Sequence, residues 1–424
     1  MNSELKLKID WTFLFLLICP IFYVVNMDLR STQTAFFQFA AIFLVGFMHV
    51  NRYVGYFLIL CAIQSIFMKE VSRESMLNVF FACVIYQFIV KASRPEEIRK
   101  YMGVFLGVLA LNIFWCLRQK FNIDPIFSMM NYDKQQVISE PSGFFALPAM
   151  LGNFSAVVLP FCLMNGFLGY IFIPLVIAGL IFSKSTFSVL AAFLSLLVFF
   201  WFRKRIVFWG VLLVSIIFSS FYIIKFDLPE GQYFRRARAW ALVEHQAFAK
   251  PVVGYGIGSL AYHLFVEVTP SHNNYYIRTA DQFKSILVKE TEDHGKPDLS
   301  KWISENFERA NSKSVQGEMQ KNNMDFLIWN PLHNEYLQAF FETGLIGVIL
   351  IGLYIRDIFK RFWDFGRKNL VVISLFASFC SILLISFGHF PFHVARLAGP
   401  FLSIMALLEL ALISCKKQTE TQWA

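Results

Sequence analysis

The sequence predicts an all-α polytopic membrane protein of about twelve transmembrane helices, with one large external loop between the ninth and the tenth. Three observations lead there. Of 424 residues, 57% are hydrophobic, 17% aromatic and only 16% charged, with a mean hydropathy of +0.54. A water-soluble domain has no way to bury that much apolar side chain. Apolar runs of the ~20 residues that a bilayer demands recur along the chain. Lysine and arginine are unevenly shared between the two sides. Seventeen fall on one side, Lys6, Arg52, Arg94, Arg203, Arg361 and Lys416 among them, against eight in the short loops of the other. That bias places both termini in the cytoplasm, as an even number of spans requires. The net charge of +9 is then mostly topology and contact with anionic lipid, and no nucleic-acid partner is implied.

The spans are expected near 11–27, 33–50, 52–68, 75–90, 99–117, 144–164, 168–182, 186–202, 206–225, 334–355, 369–387 and 395–415. Residues 1–225 would hold the first nine spans. Residues 226–333 would form the large external loop, mainly helical, and 334–424 the last three spans and a cytoplasmic tail. The first apolar run has no small-residue cleavage pattern behind it and reads as a retained helix. The inner stretch Lys91 to Glu97, with Pro95, should stop one helix and start the next. The sixth span carries Pro148, Gly152, Asn153 and Pro160, breakers that mean packing irregularity or a cavity-lining helix. A small polar turn, Ser183-Lys184-Ser185-Thr186, joins spans seven and eight. All seven cysteines fall within expected spans, so neither a disulfide framework nor a cysteine metal site is implied.

In the large loop, Gln232 to Ala249 reads as an amphipathic helix. Arg235, Arg238 and His245 share one face; Tyr233, Ala237, Trp240 and Val243 form the apolar one. Pro251 and the run Gly254-Tyr255-Gly256-Ile257-Gly258 then end it. That run is no dinucleotide fingerprint, since no strand precedes it and the spacing differs. It reads as a turn that returns the arginine helix to the membrane. Two short helices are expected near 281–293 and 298–311.

The chemistry-bearing residues gather at the external side. His333 opens the tenth span, where an imidazole of pKa near ~6.5 can accept a proton from a hydroxyl or simply cap a helix. Glu342, nine residues on, lies ~13 Å deeper at ~1.5 Å per residue, where a carboxylate is costly and seldom idle. Arg235, Arg236 and Arg238 offer guanidinium forks suited to phosphate or pyrophosphate, or to lipid headgroups. Arg396 stands beside the turn Gly388-His389-Phe390-Pro391-Phe392-His393. His389 and His393 have a metal-like spacing, but Pro391 between them argues against a regular helix. His272-Asn273 lacks a following apolar run, and Glu290-Thr291-Glu292-Asp293 reads as solvated surface. No metal and no cofactor is called for.

Together these residues resemble the O-antigen ligase and polymerase family of bacterial inner-membrane glycosyltransferases. The family pattern is His-(Asn/Ser/Gln), nine residues, then Gly-x-x-Gly; here it reads His333-Asn334 and Gly344-Leu345-Ile346-Gly347. A second pattern, Arg-x-x-x-Leu, is matched by Arg238 to Leu242. The turn with Pro251, Gly254 and Gly256, the turn at 388–393 and the segment from Ser142-Gly143-Phe144 to Pro160 are also similar to family features. Where the family often has Ser-Arg-Gly, this chain has Ser183-Lys184-Ser185, which keeps a charge and loses the fork. The resemblance implies a helical fold of the type of metal-independent, lipid-donor (GT-C) glycosyltransferases, with the large loop periplasmic. The donor would be a glycan on undecaprenyl pyrophosphate and the acceptor a lipid A core sugar. His333 would activate or orient the acceptor, Arg238 with Arg235 or Arg236 would hold the leaving pyrophosphate, and the anomeric centre would invert. Asn334, Glu342, Gly344, Gly347, Lys184 and Arg396 would support the site.

The alternatives keep the chemistry and change the acceptor: a polymerase of O-antigen or exopolysaccharide acting on a growing glycan, or a ligase for another surface glycan. A transporter or lipid flippase is the competing class. It would show two six-span halves about a central cytoplasmic loop, whereas the large loop here is external and off-centre.

Overall fold

The computed structural model describes residues 52–68, 73–123, 141–225 (except 146 and 165), 240–260 (except 242), 265–269, 274–278, 280–307 (except 294), 327–328, 334–389 and 395–423, with a few single positions besides. Side chains are not described at 218–225, 265–283 and 395–396, nor at 167–168. The expected spans 11–27 and 33–50 lie outside these residues.

The architecture is nearly all helical. The membrane-type helices are α1 (Arg52–Phe67), α2 (Arg73–Ala92), α3 (Ile98–Lys120), α4 (Pro148–Met164), α5 (Gly166–Ser183), α6 (Thr186–Arg203) and α7 (Arg205–Lys225). Then come α8 (Ala280–Asp293) and α9 (Pro297–Asn306), both amphipathic, followed by α10 (Glu335–Arg361), α11 (Leu370–Gly388) and α12 (Ala395–Trp423). Among the described residues six helices are long and apolar enough to cross a membrane: Ser75–Ala92, Pro95–Lys120, Thr186–Arg203, Glu335–Gly366, Leu370–Gly388 and Leu397–Thr421.

The exception to an all-α chain is a small antiparallel sheet of β1 (Phe265–Thr269), β2 (Asn274–Arg278) and β3 (Leu327–Ile328), in the order β2-β1-β3. Phe265 pairs with Arg278, and Glu267 lies between Tyr276 and Ile328. The helices α8 and α9 fall where two short loop helices are expected. They close over Leu287, Leu299, Ile303 and Phe307, with Val315 and Met319. Helix ends follow local chemistry. Arg94 is extended ahead of Pro95, a 3-10 turn spans Pro95–Glu97, and α3 follows at once.

The chain divides into two compact units. Among the described residues, one holds those of 80–222 and 354–423 and the other those of 52–79 and 223–353.

In the first unit a core of α2, α3, α4, α6, α11 and α12 side chains, including Phe105, Phe154, Phe161, Phe379 and Phe401, is buried. Lipid supplies no hydrophobic drive between helices, so close packing and hydroxyl groups take over. Ser374, Ser378 and Ser381 recur along one face of α11. Their hydroxyls donate to the carbonyls of Pro160 (3.3 Å), Val157 (2.6 Å) and Ala191 (2.8 Å). Gly152 faces Ser183, whose side chain leaves no room for a Cβ there. The breakers of the sixth span are therefore packing features: α4 runs through Pro160 with nearly every side chain buried.

The turn Ser142-Gly143-Phe144 is held by two buried amides of α3. Gln119 Oε1 accepts from the N–H groups of Ser142 (3.0 Å) and Gly143 (2.9 Å), while its Nε2 donates to the Gly143 carbonyl at 3.3 Å. Asn112 Oδ1 accepts from Phe144 N–H at 2.9 Å. Gly143 has φ +62, and a Cβ would lie 2.9 Å from the Asn112 carbonyl.

Charge between the helices of the first unit is more developed than the sequence suggests. Tyr86 hydroxyl bonds Glu409 and lies 2.6 Å from the Tyr354 hydroxyl. Arg361 reaches Asp357 at 2.8 Å and Glu409 at 3.5 Å.

Replacing Gln119 by Leu orphans two buried N–H groups and one carbonyl, each costing ~1–3 kcal/mol. The expected outcome for Gln119→Leu is a loss of about 3 kcal/mol or more, read as a lowered unfolding midpoint of the purified protein in detergent.

Candidate functional site

The candidate site belongs to the second unit and is built on a break in α10. Helix α10 starts cleanly: Asn334 Oδ1 accepts from Leu337 N–H at 3.0 Å, an N-cap that satisfies one of the helix's orphan donors. His333 immediately precedes this cap and lies outside the described residues. Ten residues after the cap the helix stops being one. Gly344 adopts φ 63 and ψ −167, far from helical values.

An unbroken helix would carry bonds from Leu345 N–H to Phe341 and from Ile346 N–H to Glu342. Both are replaced. Leu345 N–H donates to the Pro251 carbonyl (2.8 Å) and Ile346 N–H to the Val252 carbonyl (3.2 Å). In return Tyr255 N–H donates to Phe341 (2.9 Å) and Gly256 N–H to Glu342 (2.8 Å). The turn 251–256 thus fills the break and restores every bond it costs. Gly254 (φ +67) and Gly344 (φ +63) meet back to back. A Cβ on Gly254 would lie 2.6 Å from Glu342 and Gly344 backbone atoms, and one on Gly344 would lie 2.6 Å from Gly254 N and against the Val252 carbonyl. At Gly347 the obstacle to a Cβ is the Thr343 side chain of the same helix. Gly344, with Gly254 opposite it, is accordingly a joint in the backbone.

Side chains back this joint. Tyr255 stacks on Phe341 with ring centroids 4.7 Å apart and planes at 15°. Lys250 Nζ lies 4.4 Å over the other part of that stack, above the Tyr255 ring. Val243, Ala247, Leu260 and Phe341 form a buried cluster joined by Trp240 and Tyr255. Positions 240–241 and 243–247 are helical, and Trp240 and Val243 take the apolar role that periodicity gives them. Glu342 is 3% exposed, and its Oε1 accepts from Gln338 Nε2 at 2.9 Å one helical turn earlier. From α1, Gln64 Nε2 donates to the carbonyls of Val253 (2.5 Å) and Glu342 (3.0 Å).

Of the site residues expected from sequence, Glu342 and Gly344 meet the 251–256 turn at this junction, while Asn334 caps the start of the same helix and Gly347 lies just beyond the break. Arg235, Arg236 and Arg238 lie outside the described residues, as does His333. Lys184 belongs to the first unit, in the turn between α5 and α6, with φ 48 and an exposed side chain. Beside it Ser185 caps α6 and its Oγ lies 3.3 Å from His389 Nε2, with the Phe187 ring edge-on to the imidazole at 5.8 Å. His389 is therefore engaged with a hydroxyl; His393 lies outside the described residues, as does the Arg396 side chain.

Gln64 and Gln338 were not among the residues the sequence singles out. Gln338 was detectable, four residues before Glu342 on one helical face. A lone glutamine in an apolar run carries no such signal.

No protein-family model matches the chain, and no characterised protein matches it in sequence.

Alanine at Gly344 or at Gly254 must take a positive φ, costing ~1–2 kcal/mol, and must also displace opposing backbone. Each single variant is expected to lose ~2 kcal/mol or more, measured by unfolding in detergent. Because both remove one shared contact, the double variant should lose clearly less than the sum of the two.

Proposed function

We propose that the chain is a membrane glycosyltransferase of the O-antigen ligase type. It would move a glycan from undecaprenyl pyrophosphate to a lipid A core sugar on the periplasmic face of a bacterial inner membrane. The reading includes twelve spans, cytoplasmic termini and a periplasmic 226–333 loop. The observation that carries it is the joint at Gly344. Backbone bonds tie the 251–256 turn, which follows the Arg238 segment in the chain, to the 341–346 stretch of the helix that begins directly after His333, and this supports a site shared by the two segments.

In this reading His333 takes the proton from the acceptor hydroxyl, whose oxygen attacks the anomeric carbon from the face opposite the pyrophosphate. The bond from that carbon to the pyrophosphate oxygen breaks, the configuration inverts, and Arg238 with Arg235 or Arg236 neutralises the departing charge. Asn334 fixes the chain beside His333 by capping α10, and the Glu342–Gln338 pair stiffens the turn below it. Lys184 and Arg396 are further cations for the donor's phosphates or for membrane lipid.

The test is transfer in proteoliposomes holding purified protein, an undecaprenyl-pyrophosphate-linked glycan and rough lipopolysaccharide, with EDTA present. Wild type is expected to glycosylate the acceptor, and His333→Ala and Arg238→Ala to lose ~10²-fold or more in rate. Growth of the donor glycan without the acceptor would make the enzyme a polymerase. Full activity in both variants would remove these residues from the mechanism.

A further inference from the structure

We propose that Gln64 is a positioning residue for this transfer: its amide nitrogen staples the 251–256 turn onto the break in α10. The inference rests on the glycosyltransferase reading for its catalytic consequence, but its structural half stands on geometry alone.

The geometry concerns three consecutive carbonyls of the turn. Pro251 and Val252 receive their donors from Leu345 and Ile346 of α10. The third, Val253, receives the Gln64 amide at 2.5 Å. The same nitrogen also donates to the Glu342 carbonyl at 3.0 Å, which already accepts from Gly256. One side chain from α1 therefore touches both partners of the joint.

Orientation of the amide is fixed by chemistry. Both near atoms are carbonyl oxygens, so the nitrogen must face them and Oε1 must point away. That oxygen is buried and has no hydrogen-bond partner, in a residue only 1% exposed. A buried acceptor left in this state is destabilising, and an apolar side chain of similar size would avoid it. Packing does not account for a glutamine here, whereas the two donated bonds do. The orphaned oxygen is a local cost of keeping a two-handed donor at the joint, of the kind found at functional positions.

The consequence follows from where the joint leads. The turn continues the Arg238 segment and α10 continues from His333, so a looser joint lets the leaving-group clamp and the acceptor base drift apart. A misplacement of ~1 Å can cost ~10²-fold in rate, with ground-state binding of the lipid donor little changed.

The experiment pairs hydrogen exchange with kinetics on full-length protein in nanodiscs. Gln64→Met and Gln64→Glu remove the donor at similar size, and Gln64→Lys supplies one again. In the first two, amides in peptides covering 251–256 and 341–346 should exchange ~10-fold faster or more, as expected when about 1.4 kcal/mol of local protection is lost. Peptides of α11 and α12 should be unchanged. Transfer kcat should fall ~10-fold or more with KM for the lipid donor within about twofold, and Gln64→Lys should recover both readouts.

Unchanged exchange in Gln64→Met overturns the staple. Faster exchange throughout the protein overturns it too, as a mere stability effect. Local loosening with wild-type kcat overturns the positioning role, and a lysine variant as loose as the methionine one overturns the assignment to the donor group. If wild type transfers glycan to no acceptor, the glycosyltransferase reading fails with the catalytic half of this inference, while the exchange data still decide the staple.

Discussion

A backbone group taken out of a helix must find another partner, and the break at Gly344 takes two amides and two carbonyls out of the helical ladder at once. Everything around the break in α10 can be derived from that constraint. The four groups need partners of opposite kind at helical spacing, and an extended turn supplies carbonyls at 251 and 252 and amides at 255 and 256. Two backbones can approach this closely only where neither bears a Cβ, which demands glycine at both 254 and 344. The third carbonyl of the turn then lies beyond the reach of α10, and Gln64 meets it. The aromatic stack of Tyr255 on Phe341 packs against one end of the joint, while Pro251, Val252 and Val253 stay exposed.

The first unit obeys the same rule with other means. Its helices carry most of their backbone bonds internally, and spare lone pairs of the Pro160, Val157 and Ala191 carbonyls serve as docking points for the serines of α11. Where the backbone does leave helical geometry, at Ser142 to Phe144, two amide side chains of α3 take up its polar groups. In the cluster of Tyr86, Arg361, Asp357 and Glu409, one guanidinium pairs with two carboxylates and the Tyr86 hydroxyl bonds one of them, which spares each the cost of a lone buried charge. These serines, amides and carboxylates of the first unit are thus tied to particular acceptors or donors.

Much of this was legible in the sequence because length and apolarity are local properties. Helices lie where runs of hydrophobic residues predict them, and Pro95 marks a boundary for a steric reason visible in one dipeptide. The amphipathic pattern at 281–293 likewise gives a helix. The sheet was less visible. Phe265 to Thr269 and Asn274 to Arg278 are short, and their flanking segments are polar, so their alternation competes poorly with a reading as loop. The break at Gly344 was hidden for a deeper reason: Gly-x-x-Gly within an apolar run is equally compatible with a straight membrane helix. What decides the matter is a turn ninety residues earlier in the chain, with its own glycine at 254. Gln64 was hidden likewise, since its partners are backbone atoms and leave no mark in composition.

The joint also separates two demands that a glycan-transferring enzyme would face. Groups that bind a variable glycan have to differ from one such enzyme to another, whereas the distance between an acceptor base and a pyrophosphate clamp has to stay fixed. Backbone bonds are indifferent to most side chains, so the turn at 251–256 can hold its place on α10 whatever loop sequence precedes or follows it. Only the positions where backbones touch or a side chain reaches in are constrained: Gly254, Gly344 and Gln64. On that division, Gly344 would serve such an enzyme by shape, setting the geometry in which the residues before it act.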